Sequence, residues 1–198
     1  MSLPVDPPMS TSTVLIVPGL RDHAPAHWQT LLEAELRALG RPVRGVPPMG
    51  RADLDCAKRV AAIERAACAI DGPLVIVAHS GGCIMVAHWA RTTARPVAGA
   101  LLATPPDFEE GLPEGYPTMQ ELLASGWLPV PRDALPFPSI AALSRNDPLG
   151  RHERVAGLAH AWGSRSVELG DVGHLNPASG FGPWPRALPL IDELTVAA

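Results

Sequence analysis

The sequence is poor in everything that would tie it to a polyanion, a membrane or an oxidising compartment. Lysine and arginine total 16 against 20 aspartates and glutamates, a net charge of −4, so no basic excess exists and nucleic acid is not an expected partner. The apolar runs are strand-sized and no basic segment precedes one at the N-terminus. That pattern indicates neither a membrane span nor a signal peptide, and a cytoplasmic location is expected. The three cysteines, Cys56, Cys68 and Cys83, are odd in number and lack paired spacing, which argues against a disulfide framework and a structural zinc site; they read as reduced thiols on helices. No set of histidines and carboxylates has metal-ligand spacing, so no metal is expected. Neither a G-x-G-x-x-G turn nor a P-loop follows a strand, which weakens a flavodoxin-like or nucleotide-binding reading, and no cofactor is expected. No internal repeat is visible.

What the chain does have is apolar sequence and punctuation. With 198 residues, 46% of them apolar, it can bury one substantial core but is too short for two catalytic domains. The reading is a single domain over residues 13–196 behind a flexible leader, 1–12. The 23 prolines sit between periodic segments or at helix starts and form no low-complexity tract.

Taken in order, Thr13 to Val17 is a continuous apolar, β-branched run closed by Pro18-Gly19, as a strand buried on both faces should be. Pro25 opens a helical pattern of Trp28, Leu31, Leu32, Glu35, Leu36 and Leu39, with Gly40 at the C-terminal cap position. A weaker strand follows over Pro42 to Val46, then a helix from an Asp53 N-cap to about Ile70. Leu74 begins a third strand that passes at Ser80 into a helix reaching about Ala94. Further strands are expected at Val97 to Ala103, Ser139 to Leu143 and Ser166 to Leu169, with a last helix from Trp184 to about Thr195. Strands alternating with helices predict a parallel sheet covered on both faces, an αβα sandwich whose functional groups lie at the carboxyl ends of the strands.

The third strand ends in Ala78-His79-Ser80-Gly81-Gly82. Alone, this is either a plain connection in which Ser80 caps a helix or a strained corner that presents a nucleophile. Two other strand ends decide between them. The fifth is followed by Ser144-Arg145-Asn146-Asp147-Pro148 and the sixth by Asp171-Val172-Gly173-His174-Leu175-Asn176. Serine, acid and histidine then occur in the chain order of α/β-hydrolases, each at a separate strand end. The types follow from the chemistry: a serine hydroxyl is a weak nucleophile at neutral pH, an imidazole can take and return its proton, and a carboxylate holds the imidazole in the required tautomer. Ser80, Asp147 and His174 are thus the candidate catalytic residues, with Asp107 past the fourth strand as the rival acid. The amides of Gly81, at a helix N-terminus, and Leu20, in the loop after the first strand, are the candidate oxyanion donors.

These segments, with Pro18-Gly19-Leu20, His27-Trp28-Gln29 and Ser179-Gly180-Phe181-Gly182-Pro183-Trp184-Pro185, resemble the small α/β-hydrolase family that includes retinoblastoma-binding protein nine and its bacterial relatives. The resemblance runs from about Val14 to Leu194. It implies a trimmed α/β-hydrolase fold with a six-stranded parallel sheet in the order 2-1-3-4-5-6, and Ser80, Asp147 and His174 as nucleophile, acid and base. Ala78 stands where many hydrolases have Gly, and Gly81 where a larger residue is frequent. The implied activity is hydrolysis of small carboxylic esters or amides. The name of the eponymous member raises the alternative of a non-catalytic module that binds a protein partner. His23, His27, His79 and Trp28 are expected to line or buttress the pocket mouth, and Cys83 to pack against the sheet. The excursion 104–138, with a helix over Thr118 to Trp127, is either a partial cover over the serine or a surface turn at the sheet edge.

Overall fold

The computed structural model describes residues 12–21 and 24–196. In chain order the elements are β1 (Thr13–Val17), α1 (Trp28–Ala38), β2 (Val43–Gly45), α2 (Cys56–Cys68), β3 (Leu74–His79) and α3 (Gly81–Ala90). They continue with β4 (Gly99–Ala103), α4 (Met119–Ala124), β5 (Ser139–Ser144), α5 (His152–Ala161), β6 (Arg165–Gly170) and α6 (Ala187–Val196). The six strands form one parallel sheet in the order β2-β1-β3-β4-β5-β6.

Side-chain alternation along the strands divides the core into two layers. Leu15, Val17, Ile76, Ala78, Ala100 and Leu102 point to the face covered by α2 and α3, where Ile63, Ile84 and Trp89 meet them. Val14, Ile16, Val75, Val77, Leu101 and Ala103 point the other way, onto Trp28, Leu32 and Leu36 of α1 and Ile191 and Leu194 of α6. Burial on both faces is why the central strands lack polar alternation. The outermost strands β2 and β6 are largely exposed or half-buried. Among the described residues no helix is long and apolar enough to cross a membrane.

Several boundaries differ from those read in the sequence. Helix α1 begins at Trp28, not Pro25, because the His27 side chain accepts from the Gln29 amide and caps it there; its buried face is Trp28, Gln29, Leu32 and Leu36, leaving Leu39 exposed. Asp55, not Asp53, caps α2: its carboxylate accepts from the Lys58 amide, while Asp53 accepts from the amide of Asp55 one turn earlier. Helix α3 stops at Ala90 because the Thr93 hydroxyl turns inward to Glu64 and accepts from the Arg95 amide.

Helix α4 does not roof the serine. The Ser125 carbonyl accepts from the Cys56 amide, and the Trp127 indole N–H donates to the Leu54 carbonyl, which docks this end of the excursion on the start of α2. Leu122 is its buried residue, and Met119 and Leu123 face solvent. An earlier part of the excursion, Pro106 to Tyr116, approaches Ser80 instead. Residues 1–11 of the expected leader lie outside the described residues.

Candidate active site

Strand β3 delivers Ser80 to the middle of the sheet at its carboxyl edge, with φ 56° and ψ −134°. Positive φ costs a non-glycine residue of order 1–3 kcal/mol, and neighbouring packing must hold it. That packing explains the small residues around the serine. A Cβ on Gly82 would lie 2.7 Å from the carbonyl oxygens of both Val17 and Pro18, and one on Gly19 would lie 3.0 Å from the Ser80 Cβ. The β1 loop and the first turn of α3 therefore touch through glycine on both sides. A Cβ on Gly81 would meet Leu20 Cγ at 2.8 Å, so the two candidate oxyanion residues are packed against each other beside Ser80.

The Ser80 Oγ and His174 Nε2 are 2.8 Å apart, and His174 Nδ1 is 2.8 Å and 3.0 Å from the two carboxylate oxygens of Asp147. A carboxylate accepts, so Nδ1 carries the proton and the bare Nε2 accepts from the serine hydroxyl. The side chains of Asp147 and His174 are both buried. The Leu149 amide donates to Asp147 at 2.9 Å, which turns the carboxylate toward the ring. The rival Asp107 is committed elsewhere: it forms an ion pair with Arg154 of α5 and accepts from the Glu109 amide.

Asn146 and Ser179, to which the sequence reading gave no role, and His79, expected to line or buttress the pocket mouth, hold His174 in place. Asn146 Oδ1 accepts from the Gly173 amide at 2.7 Å, joining the acid loop to the histidine loop. The Ser179 hydroxyl accepts from the His174 amide at 3.0 Å, and a Cβ on Gly173 would fall 2.6 Å from that hydroxyl, so glycine is required there. The buried His79 donates its Nε2–H to the His174 carbonyl at 2.9 Å. Burial, with His174 and His27 nearby, holds the His79 pKa well below its ordinary value of 6.5, so the ring is neutral. Gln29, 1% exposed, donates to the carbonyls of Val17 and Val77 and ties together the ends of β1 and β3. Its partners are distant in sequence, and no local pattern announces them.

A cavity of about 200 Å³ opens over Ser80. His27, His79, Leu20, Phe108, Leu112, Tyr116 and Leu149 are among its lining residues. Trp28, expected as a lining residue, is not on that wall: it is 1% exposed and packs edge-on against His79 and Trp184, one layer behind. His23 lies outside the described residues. Cys83 is buried, its thiol donates to the Ala103 carbonyl, and burial raises its pKa well above the ordinary value, so it packs as expected. All three cysteines are free. Among the described residues no cluster of His, Cys, Asp or Glu could hold a metal ion.

A parallel sheet in this order, with a positive-φ serine at the end of β3, is that of an α/β-hydrolase. The chain belongs to the serine hydrolase family, whose model matches residues 14–193. Its fold is similar to that of a YdeN-like hydrolase from Pectobacterium atrosepticum, with 26% identity, TM-score 0.76, and 94% of this chain and 92% of that one covered. The ydeN gene product of B. subtilis is similar over 93% and 98% of the two chains, with TM-score 0.69 and 16% identity. The Pyrococcus furiosus esterase Pf2001 is similar over 93% and 82%, with TM-score 0.63 and 13% identity. No curated protein matched the chain.

Proposed function

We propose that this protein hydrolyses small carboxylic esters, with amides as a second class, through an acyl-enzyme on Ser80. The observation that carries the reading is the hydrogen-bond chain from Ser80 through His174 to Asp147 at the floor of an open cavity. Ser80 Oγ attacks the ester carbonyl while His174 Nε2 takes its proton, and Asp147 stabilises the imidazolium without itself being protonated. The tetrahedral oxyanion is received by the backbone amides of Gly81 and Leu20. Collapse expels the alcohol, which receives the proton from Nε2 and leaves the acyl group on Ser80. Water then gives a proton to His174 and attacks the acyl carbon, releasing the acid as the proton returns to Ser80. Removing one oxyanion donor typically costs about 10²–10³-fold in turnover, less than loss of the ring but enough for the β1 loop to matter.

A fluorophosphonate probe is expected to label the wild type at Ser80 and to leave Ser80→Ala unlabelled, with ester turnover lost in the same variant. Folded wild type that neither reacts with the probe at neutral pH nor turns over any short, medium or aromatic acyl ester would refute the proposal.

A further inference from the structure

The cavity over Ser80 carries a charge opposite to that of the whole protein. The chain has a net charge of −4, yet the described residues that line the cavity include two arginines, Arg21 and Arg51, and no aspartate or glutamate. Braced backbone presents both arginines. Arg21 follows Leu20 in the β1 loop, donates through Nη2 to the Gly115 carbonyl at 3.0 Å, and lies over the Tyr116 ring with Cζ 4.1 Å from the centroid. Arg51 stands on the turn after Gly50, and the Arg59 guanidinium, on a residue 3% exposed, clamps that turn by donating to the Gly50 carbonyl at 2.8 Å and to the Asp53 carbonyl. Arg51 itself has no hydrogen-bond or ion-pair partner among the described residues. Asp53, the described acid nearest to it in the chain, is paired with Lys58.

The rest of the wall, with Leu20, Phe108, Leu112 and Leu149, suits an apolar body. A guanidinium offers a planar fork of donors that matches a carboxylate. We infer that the substrate is an ester carrying a free carboxylate on an apolar chain or ring, with Arg21 and Arg51 receiving that carboxylate while Ser80 attacks the ester carbonyl. The inference rests on the hydrolase reading of Ser80 and adds the substrate's charge to it.

The test compares 4-nitrophenyl hexanoate with two anionic esters. Mono-4-nitrophenyl adipate places the carboxylate on the acyl side, and 5-hexanoyloxy-2-nitrobenzoate places it on the leaving group. The expected result is a kcat/KM for one anionic ester about tenfold above the neutral one. That ratio should shrink as salt is raised from about 0.05 to about 0.5 M, and fall toward one in the Arg21→Gln/Arg51→Gln double variant. Because the readout is a ratio within each protein, a general loss of activity in the variant does not imitate it. The inference is overturned if neither anionic ester is preferred while neutral turnover disappears in Ser80→Ala, an outcome that leaves the hydrolase reading intact. A preference unchanged in the double variant overturns the assignment to these arginines. Absence of both turnover and probe labelling would refute the hydrolase reading itself, and the inference with it.

Discussion

Replacing Gly82 by alanine tests how the corner at Ser80 is built. Alanine in place of glycine within a helix is worth up to about 1 kcal/mol, and α3 would gain this if space allowed. The structure denies the space: the new methyl would sit 2.7 Å from the Val17 and Pro18 carbonyl oxygens, both belonging to the backbone that leads into the β1 loop. A flexible side chain could rotate away, but a pair of carbonyls at the end of a central strand can move only with the loop. Overpacking of this kind costs about 1–3 kcal/mol, so the net expectation is a destabilisation of about 1–2 kcal/mol in a denaturant melt. The same displacement carries Leu20 away from Ser80. A shift of about 1 Å can cost about 10²-fold, so a loss of at least about tenfold in kcat is expected from a smaller one. Gly81→Ala is the internal comparison. Its obstacles are side-chain atoms, Leu20 Cγ at 2.8 Å and Cδ2 at 3.2 Å, so adding Leu20→Ala should recover much of its loss, whereas the same second change should not rescue Gly82→Ala. Wild-type stability and kcat in Gly82→Ala, or equal rescue of both variants by Leu20→Ala, would refute the reasoning.

Other perturbations separate the two acids and isolate the buried His79. Asp147→Asn removes the carboxylate that sets the His174 tautomer and should lower kcat by about 10⁴-fold in a steady-state ester assay. Asp107→Asn, which breaks the pair with Arg154, should lower thermal stability and leave kcat within about tenfold; the reverse ranking would exchange their roles. His79 is neutral when folded and titrates near 6.5 when unfolded, so below that pH the unfolded chain binds the extra proton. Its contribution to stability is therefore complete above about pH 6.5 and is lost as pH falls toward the depressed folded value, with a slope of up to about 1.4 kcal/mol per pH unit. His79→Gln keeps a donor for the His174 carbonyl and should flatten that part of the stability profile measured by denaturant melts from pH 7 to 5. His88, also lowered by burial, continues to contribute in both proteins, and so the difference between them reports His79.

The strands, and the three side chains that meet at the candidate site, were legible in the sequence because physics restricts them tightly. Val14 to Val17 and Leu74 to Ala78 must be apolar throughout when helices cover both faces, and a serine, a carboxylate and an imidazole at three strand ends leave few other readings. Less legible were choices made between near-equivalent neighbours. Asp53 reads as the cap of α2, yet Asp55 two residues on has the same side chain, and only the reach of each carboxylate to an amide separates them. Trp28 reads equally as wall or buttress, since its helical position says which layer it faces but not that His79 stands between it and the cavity. Met119, Leu122 and Leu123 look like one apolar face, yet a helix of six residues buries only Leu122 against the core. Gln29 and Asn146 work through partners that only the closed fold brings near.

Three described non-glycine residues have positive φ, Ser80, Thr104 and Leu175. Ser80 follows β3, Thr104 follows β4, and Leu175 follows His174 in the loop after β6, so all three lie at the carboxyl edge of the sheet. Strain of order 1–3 kcal/mol per residue persists only where the surroundings over-determine the backbone. Here the surroundings are specific: the Ser80 amide donates to the Ala103 carbonyl, the Thr104 amide to the Ala142 carbonyl, and the Leu175 amide to the Val172 carbonyl. Strands β3 and β4 are in this way bonded to their neighbours β4 and β5 past the point where each turns out of the sheet. Both faces of these strands are buried, so a relaxed backbone at Ser80 would have to break a ladder between two packed cores. The cost of the strained corner is thus met by the same double-sided burial that makes β3 an uninterrupted apolar run, which links the composition of that strand to the exposure of its terminal serine.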